Sequence, residues 1–326
     1  MNSGARRLLV GCAMAATFLW AQSAAAADNW PQRSIKIVSP YGAGGPNDLS
    51  ARLIGEELGA RLGQSIIVEN RPGAGTAIGN QHVANAAPDG YTLLYAAAPY
   101  STLEALNGKL SYDPHKDLKP VAKVANAPLF LIVNAESPFK TVQDLIAHGK
   151  AASGGLTLGS PGHGSLPHLA MELLLRDADT PGIVVQYKGD VGAYTELLAG
   201  RLDATLTAIT AALPHVQAGK LRVLGVASDK PSAIYPDAAP LKEQGLPNVV
   251  ASGWYGFMVP AGTPDSVVDT LDKEINSILG DAQIREKLLA QGLEITPGDK
   301  QAFGQFIQAE MNKWGEVIKA ANLKAN

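Results

Sequence analysis

The chain has 326 residues, 46% of them hydrophobic and 17% charged, with a formal net charge of −3. That length and apolar content suit one large core or two moderate ones, and two domains is the better expectation. A slight acidic excess without any basic run excludes electrostatic capture of nucleic acid or of an anionic membrane surface.

The first residues read as an address. Arg6 and Arg7 form a basic n-region, Leu8 to Ala21 an apolar stretch too short to span a bilayer comfortably, and Ala25-Ala26-Ala27 an A-x-A cleavage site before Asp28. Residues 1–27 are therefore expected to be a cleaved signal peptide, with general secretion and twin-arginine export both open. Cleavage would remove the sole cysteine, Cys12, and take the net charge to −5. Disulfides and thiol chemistry would then be excluded. No later apolar run reaches membrane-spanning length, so no insertion into a membrane is expected.

The apolar run Ile35 to Val38 predicts a strand. It leads into Ser39-Pro40-Tyr41-Gly42-Ala43-Gly44-Gly45-Pro46-Asn47-Asp48, and then into a helical pattern carrying Leu49, Leu53, Leu58 and Leu62. Bare glycines let backbone N–H groups approach a ligand, and the following helix start adds orphan donors and positive dipole. Such a loop can hold an anion. It can equally be a tight turn whose glycines merely take positive φ. Asn47 stands where a dinucleotide fingerprint needs its third glycine, so a carboxylate is a better guess than a pyrophosphate. A second glycine turn, Asn70 to Thr76, reads as structural.

Further strands are expected at Ile66 to Val68, Thr92 to Tyr95, Leu129 to Val133, Leu156 to Leu158, Ile183 to Gln186, Ala204 to Thr207 and Val223 to Ala227, mostly separated by helices. This alternation is the α/β signature, which places ligand loops at the carboxyl ends of strands. The loop Gly159 to Ser165 follows one strand and precedes a helix, and Ser160 and Ser165 offer hydroxyl donors there. Ser165 also fits a helix N-cap. Tyr187 can present a ring and hydroxyl to a ligand, while Lys188 reads as solvated. Asp203 either meets a ligand through water or an amine, or fixes a loop. Extended stretches near Ala125 to Pro128 and Ser252 to Pro260 read as crossings between two domains, an arrangement that suits a hinge. Two C-terminal helices are expected, the first with Val267, Val268, Leu271, Ile275, Ile278 and Leu279 on its apolar face. The second carries Phe303, Phe306, Ile307, Met311, Trp314, Val317 and Ile318.

Catalysis finds no support in these motifs. The G-x-S-x-G elbow is absent around Ser160 and Ser165, and the histidines lack metal-ligand spacing. No catalytic residue, metal or cofactor is expected, although a secreted α/β hydrolase stays open as an alternative.

Taken together, the motifs resemble the tripartite tricarboxylate transporter substrate-binding proteins, the Bug receptors of Gram-negative periplasms. The matching segments are Trp30 to Ile35, Pro40 to Gly45 with Asp48, Ala51 and Arg52, Val68 to Gly75, Asp89 to Leu94, Gly164-Ser165 with His168-Leu169, Tyr187 to Gly189, Gly219 to Arg222, and Pro260 to Pro264. The resemblance implies a type II periplasmic-binding-protein fold, two α/β lobes with a hinge and a central ligand cleft. Lobe 1 would comprise residues 28–127 and 254–326, and lobe 2 residues 128–253. It implies a non-enzymatic receptor, a monomer, that captures a small carboxylate-containing compound and delivers it to membrane permease subunits. A sensor that presents the ligand to a signalling partner is the other reading. The ligand-binding residues implied are Tyr41, Gly42, Ala43, Gly44, Gly45, Asn47, Asp48, Ala97, Ala98, Ser160, Gly164, Ser165, His168, Tyr187 and Asp203. Ala96 to Ser101 departs from the family pattern, as does Gly192, which leaves the far end of the ligand open.

Overall fold

The computed structural model describes residues 30–324, so the expected leader, residues 1–27, lies outside the described residues. Strand β1 (Ile35–Ser39) is buried along nearly its whole length. It pairs in parallel with β2 (Ile66–Asn70) on one side and β3 (Thr92–Ala97) on the other. Helix α1 (Pro46–Leu62) starts with a proline at its first turn and stops at Gly63, which takes the left-handed conformation that a side chain resists. Its buried face is Ala51, Ile54, Gly55 and Leu58, while Leu49 is exposed. Of the leucines in the expected pattern, Leu58 is buried and Leu53 and Leu62 pack partly buried against the same core, so Leu49 alone departs from it. A side chain added at Gly55 would start 3.0 Å from Ile66 Cγ2, so the glycine lets the helix lie close on the sheet.

Helix α2 (Ala77–Ala84) follows β2, and after β3 a short 3₁₀ turn leads into helix α3 (Leu103–Asn107). Strand β4 then runs unbroken over Leu118–Asn134. Its first part pairs antiparallel with β9 (Ser252–Pro260), from Leu118 opposite Pro260 to Pro128 opposite Ser252. Its last part, Leu129 onward, pairs with β7 (Thr205–Ala208) and β8 (Leu221–Val226). Leu129 to Val133 was expected as a strand and Ala125 to Pro128 as a crossing, and both lie within this one longer strand. The ladder accommodates proline where the register shifts between Pro120 and Ala122.

Between β4 and β7 come α4 (Val142–Ala151), β5 (Leu156–Ser160), α5 (Leu166–Asp177), β6 (Gly182–Gln186) and α6 (Asp190–Leu198). β5 and β6 are parallel, and β5 is bridged to the residue before β7. Helix α7 (Leu213–Gln217) precedes β8. After β9 the chain adds α8 (Asp265–Leu279), α9 (Ala282–Ala290), the short strand β10 (Glu294–Gly298) against β4, and α10 (Lys300–Ala320). All six apolar residues expected on α8 are buried.

Two sets of cores result. One is built on β1, β3 and the Leu118–Pro128 part of β4, under α1 and α8; the other on Leu129–Val133, β5 and β7, under α4 and α5. Helix α10 belongs to both sets. Phe303 and Ile307 pack beside Trp254 with the first, whereas Trp314, Val317 and Ile318 pack with Leu131, Leu169 and Leu173 in the second. Among the described residues no helix is long and apolar enough to cross a membrane.

Candidate functional site

The carboxyl ends of β1 and β2 open into two glycine loops lying side by side. Asp48, in the first turn of α1, ties them. Its carboxylate accepts from Gly44 N (2.9 Å), from Asn70 Nδ2 (2.9 Å) and from the Arg52 guanidinium (2.9 Å). Asn70 Nδ2 also donates to Tyr41 O (3.1 Å). Burial pushes the Asp48 carboxyl up, but the hydrogen bonds from Arg52, Gly44 and Asn70 outweigh it and hold the group below its usual range. Asn47 is equally committed, accepting from Ser39 Oγ (2.7 Å) and donating to Tyr95 O (3.2 Å). These two side chains build the loop and have little left for a ligand.

What the loop offers is backbone. Among the described residues the N–H groups of Gly42 and Ala43 have no acceptor, and a Cβ added at Gly42, Gly44 or Gly45 would meet nothing within 4 Å. Gly44 has φ +87°; Gly45 is extended and carries no such strain. The Tyr41 hydroxyl has no protein partner among the described residues. Burial, with Tyr255 nearby, pushes it well above the usual tyrosine range, so at neutral pH it is a donor. Tyr255 on β9, itself pushed up to about 12 by burial, stacks on Tyr95 with centroids 5.7 Å apart.

The second loop stands opposite. Ser160, fully buried at the end of β5, donates to Gly162 O (3.1 Å), and Ser165 Oγ donates to the same carbonyl (2.7 Å). Ser165 caps α5 by accepting from His168 N (3.3 Å). His168 Nδ1 accepts from Gly164 N (3.0 Å), which leaves the proton on Nε2, 3.4 Å from Glu172. His168 is a buried strut for the loop.

Tyr41, Gly42, Gly164 and Ser165 line one cavity of about 680 Å³ between the two halves. Pro72 to Thr76, Pro99, Leu103 and Leu106 complete much of its wall. Gly73, Ala74, Gly75 and Thr76 all have positive φ, and for β-branched Thr76, at +93°, that is an outlier. Strain of this kind persists only where the surroundings impose it, and it gathers at binding sites. A hollow of about 790 Å³ lies elsewhere, lined by Asn126, Ser252, Arg285, Phe306 and Lys313, and neither glycine loop reaches it.

Residues 50–323 match the sequence profile described as tripartite tricarboxylate transporter family receptor. The chain belongs to that receptor family. The BugT protein of Bordetella pertussis is 33% identical over 300 residues, covering 91% of the receptor and 92% of BugT. Among solved structures, a TctC solute-binding protein from Polaromonas superposes with a TM-score of 0.80 at 27% identity, covering 89% of the receptor and 99% of that chain. A Rhodopseudomonas palustris protein solved with adipate gives 0.76 at 30% identity, covering 90% and 99%. The receptor thus has the mixed α/β, two-lobe solute-binding fold, and its family is one of binding receptors rather than an enzyme class.

The expected site residues divide accordingly. Tyr41, Gly42, Gly164 and Ser165 meet at the cavity, Ala43, Gly44 and Gly45 continue the same loop, and Ala97 and Ala98 are buried just before Pro99 in its wall. Asn47, Asp48, Ser160 and His168 sit behind the loops as scaffold. Tyr187 is not in the wall; it packs beside the core of Tyr194 and Leu197, with its N–H donated to Ser160 O (2.8 Å). The Asp203 carboxylate accepts from Thr157 N (2.7 Å) near the start of β5, away from the Ser160 end that faces the cleft, and fixes that loop. Sequence reasoning passed over Pro72 to Thr76 as a wall. The signal available was that β1 and β2 are adjacent parallel strands, whose following loops share one edge.

Proposed function

We propose that the receptor is a periplasmic solute-binding protein that captures a small organic carboxylate in the cavity between its lobes and hands it to membrane permease subunits. The observation that carries this reading is the facing pair of glycine loops across a cavity whose wall holds no lysine or arginine. A carboxylate there is met by backbone N–H groups and the Tyr41 hydroxyl, and hydrogen bonds to a charged group contribute roughly 1.5–3 kcal/mol each. Adipate in the R. palustris neighbour supports the ligand class. Residues 28–127 with 254–326 serve as one lobe and 128–253 as the other, and the ligand favours closure by touching both. The leader, residues 1–27, accounts for export.

A thermal-shift screen over mono- and dicarboxylates tests this. The bound acid should stabilise the chain by RT ln(1 + [L]/Kd), about 2.7 kcal/mol at a hundredfold excess over Kd, and should be recovered unchanged after incubation. Consumption beyond one equivalent, or no stabilisation by any carboxylate, contradicts it.

A further inference from the structure

We propose that the hollow between Asn126 and Arg285 is a second ligand site, for a small organic anion with an apolar body, separate from the cavity of the glycine loops. Its volume of about 790 Å³ is that of a small-molecule pocket. It lies where the chain passes between the halves. Asn126 stands on β4 just before Leu129, where the ladder changes partners from β9 to β7 and β8, and Ser252 opens β9. Lys230 and Pro231, which follow β8, bring one half to the lining, and Arg285 and Leu289 of α9 bring the other.

The charges of this lining are unequally met. Glu294 Oε1 accepts from Ser232 Oγ (2.6 Å) and Ala233 N (2.6 Å), Asp229 pairs with Lys242 (2.9 Å), and Glu310 accepts from Trp314 Nε1 (2.7 Å) and from Lys313. Lys313 Nζ also donates to Val250 O (3.3 Å). All three acids of the lining are thus held. Among the described residues the Arg285 guanidinium and the Lys230 ammonium have no acceptor, and both residues are exposed, which puts two unpaired cations at the mouth. A guanidinium fork takes an anion through two parallel hydrogen bonds. Asn126 Oδ1 and Thr296 Oγ1, also of the lining, are buried with no hydrogen-bond partner, a state that costs free energy until an occupant or a water it carries bonds them. Phe306, Leu289 and Pro231 add apolar surface, and Leu289 leaves 38% of its area in water. An ion as small as sulfate would meet the cations and leave that surface wet, whereas an alkyl or aryl body removes it from water. A cationic occupant is disfavoured, since the acids are engaged and the free charge is positive.

Titration of the folded protein with anilinonaphthalene sulfonate, followed by its fluorescence, tests the site. A saturable component is expected that Arg285→Glu combined with Lys230→Glu weakens by about tenfold or more, the scale of one lost hydrogen bond to a charged group. Both positions are exposed, so the fold should survive, as circular dichroism checks; Arg285→Lys alone should keep most of the affinity. N-phenylnaphthylamine, with the same rings and no sulfonate, should bind the parent more weakly, and inorganic sulfate should displace the probe poorly. Gly45→Val, in the glycine-loop cavity, should leave this component in place. Equal binding by the parent and the charge-reversed protein, or no saturable binding to the parent, overturns the proposal. So does loss of the component in Gly45→Val, which would put the probe in the cavity.

Discussion

Gly44 and Gly45 are adjacent and do different work. Gly44 needs φ +87° to bring its N–H onto Asp48, whereas Gly45, at φ −84° and ψ 170°, sits in backbone that any residue adopts. Gly44→Val should therefore cost about 1–2 kcal/mol of stability in denaturant unfolding, because a Cβ resists the left-handed region. Gly45→Val should leave stability nearly unchanged and weaken carboxylate binding at least tenfold in calorimetry, since its side chain would stand in the open space over the loop. Equal affinity of the two proteins would remove that loop from the binding surface. At this scale the glycine loops were legible from the residues alone, and little of how they are held was. Asp48 and Asn47 look like ligand groups until Asn70, from the next strand, and Ser39, at the end of β1, are found bonded to them.

Among elements, the apolar faces of α8 and α10 were legible because period and face coincide. The full length of β4 was not, since it is a ladder whose partners come from β9 and β10, more than a hundred residues later. Nor could periodicity show that α10 serves two cores. Near its crossing, Lys123 of β4 places Nζ 3.6 Å from the Phe306 ring centroid. Burial pushes this ammonium down to about 8, with Lys313 adding to the effect and Glu310 opposing it. An unfolded lysine holds its proton to about 10.4. Between those values the unfolded chain binds more protons than the folded one, so this group makes stability rise with pH across that window, and its cost is fully present below about pH 8. Lys123→Met should flatten that rise and add on the order of 1–3 kcal/mol near pH 7. Urea unfolding of both proteins at several pH values checks it, and parallel pH profiles would show that Lys123 does not titrate in the folded chain.

At the scale of the molecule, β4, β9 and α10 all pass between the two halves, so the proposed closure must carry a helix as well as two strands. Those passages position the glycine loops, and the cavity between them is the proposed place of capture. A crystal structure of the protein with the carboxylate that stabilises it most in the thermal-shift screen tests this most directly. The expected result is a carboxylate within about 3.2 Å of the Gly42 and Ala43 N–H groups and the Tyr41 hydroxyl, with Gly164 and Ser165 closed over it. A ligand found instead in the hollow beside Asn126 and Lys313, or paired to an arginine or lysine, would contradict it.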